Sequence, residues 1–154
     1  MIILFFTGLL IPVAPAGRGL PKENAPFQLE EQYRRESDPK QRVLIATKLA
    51  EVRLKELQAA YKKEIIPTSQ NETVENYLGA IERLGKAVND ASDVGYSKRA
   101  EQRLRRQLRE LEDLKMAVSY QERPVVAKVE EQVAAVLEKI LYSIMQPRQE
   151  EAKR

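Results

Sequence analysis

Apolar residues recur at intervals of three and four along four long segments of the chain, so each segment carries one apolar face. This interval matches the period of an α-helix, and no run alternates apolar and polar residues as a half-buried strand does. The pattern therefore predicts an all-α fold. The four apolar stripes are Val43, Ala46, Ala50, Leu54, Leu57 and Tyr61; Val74, Tyr77, Leu78, Ile81, Leu84, Val88 and Ala91; Ala100, Leu104, Leu108, Leu111, Leu114 and Val118; and Val126, Val129, Val133, Val136, Leu137, Ile140 and Ile144.

The first long helix has a clear start and stop in the sequence. Asp38 is a good N-cap acceptor, Pro39 suits the first helical position, and Gln41 completes a capping box. The residue before a proline is disfavoured in the α region, so the helix must end before Pro67. These signals predict a helix over residues 39–66.

The second long helix is predicted to open at a capping box formed by Ser69 and Glu72 and to run to about Ser92. Gly79 and Gly85 interrupt it, at a cost of roughly 1 kcal/mol each relative to Ala. Gly85 lies on the apolar face, where the missing side chain lets a neighbouring helix approach closely.

The third helix carries six basic residues between Lys98 and Arg109, and its predicted start is a turn at Gly95 followed by an N-cap at Ser97. Pro124 is predicted to occupy the first position of the last helix, which runs to Pro147. Residues 148–154 are expected to be a charged tail.

Short connections between these helices favour an antiparallel four-helix bundle made of two helical hairpins, at 39–92 and 98–146. Residues 27–36 add a short, weakly amphipathic N-terminal helix that is expected to lie loosely on the bundle or across it. The bundle domain then spans residues 27–147. The alternative is an extended helical hairpin that forms a homodimer through a coiled coil, although its heptads are not sustained.

The N-terminal segment has the features of a secretory signal peptide over residues 1–16. An apolar run ends at Pro12, and Ala14 and Ala16 provide a small-x-small cleavage site after Ala16. We therefore expect export to the periplasm or medium, with residues 17–26 as a linker. The alternative is a membrane anchor at residues 2–16, but that run is shorter than the roughly 20 apolar residues a spanning helix needs.

The composition excludes several kinds of chemistry. The chain of 154 residues contains no Cys and no His. Disulfides, thiolate or imidazole zinc sites and catalysis by Ser-His-Asp or Cys-His groups are therefore impossible. Adjacent acidic residues on a helix point to different sides, and the stripes contain no pair of buried acids. We expect no enzymatic activity, no metal and no cofactor.

Six basic residues fall opposite the leucine stripe of the third helix, so they face solvent or a partner. Three of them have an acid four residues away in the same helix; the pairs are Glu101 with Arg105, Glu110 with Arg106, and Asp113 with Arg109. Lys98, Arg99 and Arg103 lack such an acid. They lie near the predicted helix N-terminus, where cations are disfavoured and an anion is favoured.

These three residues are therefore the candidate binding site, for a phosphate, a lipid headgroup or an acidic partner. The alternative is a solvated surface on which acids of a neighbouring helix complete the charge network. Binding to nucleic acid is not expected, because the net charge is only +3 and Tyr96 is the one aromatic residue beside the basic run.

The stretch "DPKQRVLIATKLAEVRLKELQA", residues 38–59, resembles helical domains found in exported bacterial proteins of unknown function. The resemblance covers one helix and implies an exported helical module without assigning any site residue. We hypothesise a structural or protein-interaction module of a bacterial envelope. Two alternatives are a periplasmic chaperone-like or stress-binding protein, and a protein that binds anionic lipids or polyanions through the basic helix.

Overall fold

The computed structural model describes residues 25–62 and 67–145 of the chain. These residues form five α-helices and no strand, which confirms the predicted all-α fold. The predicted signal peptide, most of the predicted linker and the charged tail lie outside the described residues. The helices are α1 Ala25–Arg35, α2 Pro39–Lys62, α3 Pro67–Ala91, α4 Val94–Ala117 and α5 Arg123–Met145.

The apolar stripes form the core. Every stripe residue is buried or half-buried, because the neighbouring helices cover the apolar face of each helix along its whole length. The largest side chains that are almost completely buried are Tyr77, Leu49, Leu54, Leu57, Ile81, Leu84, Leu104 and Leu111.

Contacts between the helices define two hairpins. Helix α2 packs against α3, and α4 packs against α5. The guanidinium of Arg42, early in α2, lies 3.8 Å from the carboxylate of Asp90, late in α3, so these two helices are antiparallel. Lys115, late in α4, likewise pairs with Glu130, early in α5.

The second hairpin lies beside the first, with α2 against α4 and α3 against α5. Hydrogen bonds join Arg103 to Glu51 and Gln58 to Glu110, both across a separation of 52 residues. Because partner positions rise together along the two helices, α2 and α4 run parallel. A hydrogen bond from Gln70 to Glu122, also 52 residues apart, connects the start of α3 to the start of α5.

The short helix α1 begins at Ala25, two residues before the predicted start, and packs on α2. It is not loosely attached, because Tyr33 is only 7% exposed and its hydroxyl donates to the carbonyl oxygen of Arg83 in α3, at 3.2 Å. Glu30 accepts a hydrogen bond of 2.8 Å from Arg53 in α2. Phe27, in contrast, is 65% exposed.

The predicted start of α2 is confirmed, with one difference in its cap. The Asp38 carboxylate accepts a hydrogen bond of 2.9 Å from the Lys40 amide. The amide of Asp38 itself donates to the carboxylate of Glu36, also at 2.9 Å. Glu36 therefore provides the second bond of the cap that was expected from Gln41.

Two other predicted helix starts are wrong, by three residues for α3 and by one residue for α5. Helix α3 begins at Pro67, so Ser69 is inside the helix and is not its N-cap. Helix α5 begins at Arg123, which places Pro124 at the second position. Both prolines are tolerated because the first four amides of a helix have no partner within it.

The two glycines of α3 have different surroundings, and this gives a matched test of the packing. A Cβ added at Gly85 would lie 3.0 Å from Val136 Cγ1 of α5, which confirms the predicted close approach. A Cβ at Gly79 would meet only the flexible end of Arg83, at 3.6 Å.

We expect Gly79→Ala to raise the free energy of unfolding by about 0.5–1 kcal/mol, because alanine is the better helix former. Gly85→Val should lower it by about 1–3 kcal/mol, because the extra side chain overpacks the contact with α5. Urea denaturation of both variants measures the two changes. A Gly85→Val protein as stable as the wild type would contradict the close packing of α3 on α5.

Candidate interaction site between α2 and α4

Asp93, and not Ser97, is the N-cap of the basic helix α4. Its carboxylate accepts hydrogen bonds from the amides of Gly95 and Tyr96, at 2.9 and 3.3 Å. Ser97 is buried and donates its hydroxyl to the Asp93 carbonyl oxygen at 2.9 Å. The predicted turn at Gly95 is also wrong, because the chain turns at Ser92, whose φ is 47°.

This cap changes the basis of the predicted anion site. The Asp93 carboxylate already occupies the place at the start of α4 where an external anion would bind. Lys98 and Arg99 lie in the second turn of the helix, and Arg103 lies beyond them, so the charge of the helix end acts on them weakly. If these residues bind an anion, the attraction must therefore come from their own side-chain charges and from residues of the neighbouring helix α2, and not from the N-terminus of α4.

The three candidate residues have different environments. Lys98 is exposed and has no ion pair within the described part of the chain. The guanidinium of Arg99 lies 5.6 Å from the centre of the Tyr96 ring. Arg103 donates to the Glu51 carboxylate of α2 at 3.0 Å. Arg99 and Arg103 line a groove of about 580 Å³ between α2 and α4, the first α2/α4 groove. Lys98 does not line it.

Glu51 is the acid of a neighbouring helix that completes part of the charge network. Its Oε1 atom accepts from Arg103 at 3.0 Å and from Arg106 at 2.7 Å. Arg106 also lies 3.6 Å from Glu110, as its spacing predicted, and the predicted pair of Arg105 with Glu101 is present. Two guanidinium groups thus share one carboxylate oxygen, and Arg106 also has Glu110, so these four charges balance. Arg99, by contrast, has no ion pair within the described residues.

Helix α2 adds basic residues that the sequence analysis did not include. Lys48, Lys55 and Lys62 are exposed and occur at intervals of seven. Seven residues are close to two helical turns, so the three lysines lie along one line of α2. Lys48 lines the same groove as Arg99. The interval is visible in the sequence, but the position of this line beside α4 is not.

The other end of the α2/α4 face has a different charge. A second groove there, of about 560 Å³, is lined by Tyr61 and Lys62 of α2 and by Glu110 and Asp113 of α4. Gln58 donates to the Glu110 carboxylate at 3.3 Å. Burial and, to a smaller extent, the charge of Glu122 raise the pKa of Tyr61. The face is therefore strongly basic at one end and of mixed charge at the other.

Two half-buried carboxylates at the helix starts are held in their charged form. The Lys40 ammonium lies 3.0 Å from Asp93 and, with the amides of Tyr96 and Gly95, lowers the pKa of Asp93 below its ordinary 3.8. The Ser119 hydroxyl and amide, together with Gln70, lower the pKa of Glu122 below its ordinary 4.5. Both carboxylates bind fewer protons in the folded protein than in the unfolded chain.

This difference predicts the pH dependence of stability. The contribution of a carboxylate with a lowered pKa is complete above its unfolded pKa and is lost as the pH falls through its folded pKa. We therefore expect Tm to fall between about pH 6 and about pH 3. Asp93→Asn keeps a good N-cap acceptor but does not titrate, so its Tm should depend less steeply on pH. An equal slope in both proteins would contradict the assignment.

The opposite face of the molecule, between α3 and α5, is less polar. An open groove of about 440 Å³ is lined by Val74 and Leu78 of α3 and by Val125 and Val129 of α5, with Lys128 at its edge. Val125 is 41% exposed. This surface could hold a small apolar segment of another chain.

The core contains one polar pair that the sequence analysis missed. The Tyr77 hydroxyl donates to Gln107 Oε1 at 3.0 Å, and the two residues are 0% and 1% exposed. Burial strongly raises the pKa of Tyr77, so the phenol stays protonated and acts as a donor. Gln107 Nε2 has no hydrogen-bond partner within the described residues. The sequence held one clue to this pair, because Gln107 lies three residues after Leu104 and therefore on the buried side of α4.

Residues 25–62 and 67–145 contain no cluster of three or more acidic side chains that could hold a metal ion. No helix in the same ranges combines the length and apolar character that crossing a membrane requires. No protein-family model, curated protein or solved structure matches the chain.

Proposed function

We propose that this protein is an exported, non-enzymatic interaction module of a bacterial envelope. In this proposal its four long helices form a four-helix bundle of two hairpins, which presents the α2/α4 face to a protein partner. One observation carries the proposal, namely that two exposed cations of the first α2/α4 groove, Lys48 and Arg99, have no ion pair within the described residues.

The charges at this groove support binding better than they support folding. Lys48 and Arg99 have no ion pair within the described residues, and Arg103 and Arg106 share Glu51. Exposed ion pairs contribute only about 0–1 kcal/mol each, so this arrangement adds little to stability. Unpaired guanidinium donors that remain in water are, however, well suited to a carboxylate supplied by a partner.

Copurification from envelope extracts tests the proposal. The groove variant Lys48→Glu/Arg99→Glu reverses two exposed charges at the groove, and Lys86→Glu/Lys139→Glu reverses two exposed charges on α3 and α5 as a matched control. We expect the wild type and the control to retain the same partner and the groove variant to lose it. Recovery of no partner, or equal recovery by the groove variant, would contradict the proposal.

Export is a separate part of the proposal, and it rests on the sequence of residues 1–16. Intact mass and N-terminal sequencing of the protein from fractionated cells test it. A chain that starts at Gly17 in the periplasm or medium is expected. A chain that retains Met1 in the membrane would indicate an anchor at residues 2–16, and one that retains Met1 in the cytoplasm would exclude export.

A second candidate function is a chaperone-like role in the periplasm. The apolar α3/α5 groove favours it, because exposed apolar surface is what an unfolded chain would bind. Light scattering of an aggregating client protein tests this role, with Val125→Asp as the groove variant. Suppression that Val125→Asp abolishes would support the role, and the absence of any suppression by the wild type would exclude it.

A further inference from the structure

The cations of α2 and α4 recur together along the face that the two helices share. On α2 they are Lys48, Lys55 and Lys62, and on α4 the same interval of seven separates Arg99 from Arg106. Each interval corresponds to about 10.5 Å along a helix. Each helix therefore carries a straight line of basic side chains, with one cation about every two turns.

These two lines face the same space. The helices are parallel, and their hydrogen-bonded positions differ by 52 residues, as for Arg103 and Glu51. Lys48 thus lies at nearly the same level as Arg99, and both line the first groove. Lys55 lies at nearly the same level as Arg106, which is already paired with Glu51 and Glu110. The face consequently presents two cationic positions, one at Lys48 and Arg99 and the other two turns further on at Lys55.

Apolar side chains also line the groove that holds Lys48 and Arg99. Leu44, Ile45 and Tyr96 are half-buried and line the first groove together with the cations. A ligand that fits must bring apolar side chains to this floor and acidic groups to both edges. A small anion supplies the acidic group but no apolar side chain.

From these features we infer that the α2/α4 face binds an acidic amphipathic helix of a partner protein along the first groove, with carboxylates seven residues apart set against the two cationic positions. The inference rests on the proposed function and specifies the chemistry of the partner. Apolar residues on the same side of the bound helix contact Leu44, Ile45 and Tyr96. This is the usual way in which a groove between helices recognises an amphipathic helix.

The mixed charge of the second groove favours a helix over a uniformly anionic surface such as a lipid bilayer. Glu110 and Asp113 lie in line with the cationic half of the face and would repel such a surface. A bound helix can place its acidic residues against the cationic positions. It can place neutral or basic residues against Glu110 and Asp113. The face as a whole therefore favours a partner helix that is acidic at one end and neutral or basic at the other.

Binding of labelled synthetic peptides to the full-length protein, measured by fluorescence anisotropy, tests the inference. One peptide of about 15 residues carries two Glu seven residues apart on the same side as its Leu residues. The comparison peptide has the same composition, with the Glu residues on the opposite side. We expect the first to bind at least tenfold more tightly, with an affinity that falls between about 50 mM and about 300 mM salt.

Variants and vesicles complete the test. Lys48→Glu/Arg99→Glu should weaken binding of the first peptide by about tenfold or more, and Lys86→Glu/Lys139→Glu should leave it unchanged. Circular dichroism of each variant checks that its helices are intact. Equal binding of the two peptides, no effect of the groove variant, or binding of anionic phospholipid vesicles in place of peptide would each overturn the inference.

The result is separable from that of the proposed function. If copurification yields a partner that the groove variant loses but neither peptide binds, the protein is an interaction module, and the inference that its partner presents an acidic helix is wrong. If copurification yields no partner and the peptides fail as well, both proposals fall.

Discussion

Leu104→Ala is expected to lower the free energy of unfolding by about 3 kcal/mol, within the range of roughly 2–5 kcal/mol for deletion of a buried leucine side chain. Leu104 is 0% exposed on the inner face of α4. Its truncation removes apolar contacts and leaves a cavity that the surrounding helices can fill only in part. Chemical denaturation monitored by circular dichroism measures the change.

Leu108, one turn later on α4, is the matched control. It is only half-buried, so Leu108→Ala removes less apolar area from the core and opens a smaller cavity. We expect its cost to be less than half that of Leu104→Ala. Equal costs at the two positions, or no loss at Leu104, would contradict the orientation of α4.

Tyr77→Phe is expected to lower the free energy of unfolding by about 1–3 kcal/mol, although it removes a single oxygen. The hydroxyl of Tyr77 is the hydrogen-bond donor to Gln107 Oε1, and the Gln107 amide cannot reach water in the core. Loss of the donor leaves that amide buried without a partner. Gln107→Leu alone should also be destabilising, because it leaves the Tyr77 hydroxyl unpaired.

The double variant Tyr77→Phe/Gln107→Leu makes the decisive comparison. Replacing both polar partners by apolar groups of similar size can be nearly neutral, so the double variant should be more stable than the sum of the single effects predicts. Tyr142→Phe, at a residue that is 66% exposed, should have no effect. Strictly additive losses would show that the two side chains do not interact in the core.

Much of the fold follows from the period of the apolar residues. Helix formation and burial of one face depend on the same repeat, so the stripe of α4 from Ala100 to Val118 could be read directly from the sequence. Gln107 was missed because a polar residue counts against burial in that pattern. Its burial depends on Tyr77, which comes from a different helix and provides the hydrogen bond.

The helix starts were harder to predict because several residues near each boundary have suitable chemistry. Asp93 and Ser97 are both good N-cap residues, and local sequence does not choose between them. In the folded protein Asp93 also pairs with Lys40 at the start of α2, a contact that no local pattern contains. Ser97 is buried as part of the first turn of α4 instead.

The candidate site depends on which helices are neighbours. The excess charge at Lys98, Arg99 and Arg103 was visible in the sequence, but its partner Glu51 and the apolar floor at Leu44 belong to α2. A one-dimensional pattern fixes the side of a helix on which a residue lies. It does not fix which other helix lies beside that face, since that depends on the packing of the two hairpins.

Site-specific photo-crosslinking in intact cells tests the central claim, that a partner occupies the α2/α4 face. A photoreactive residue at Gln102, which is exposed and lines the first groove, is compared with one at Ala134 of α5. We expect one crosslinked partner from Gln102 in the envelope fraction and none from Ala134. Crosslinking from Ala134 alone, or from neither position, would contradict it.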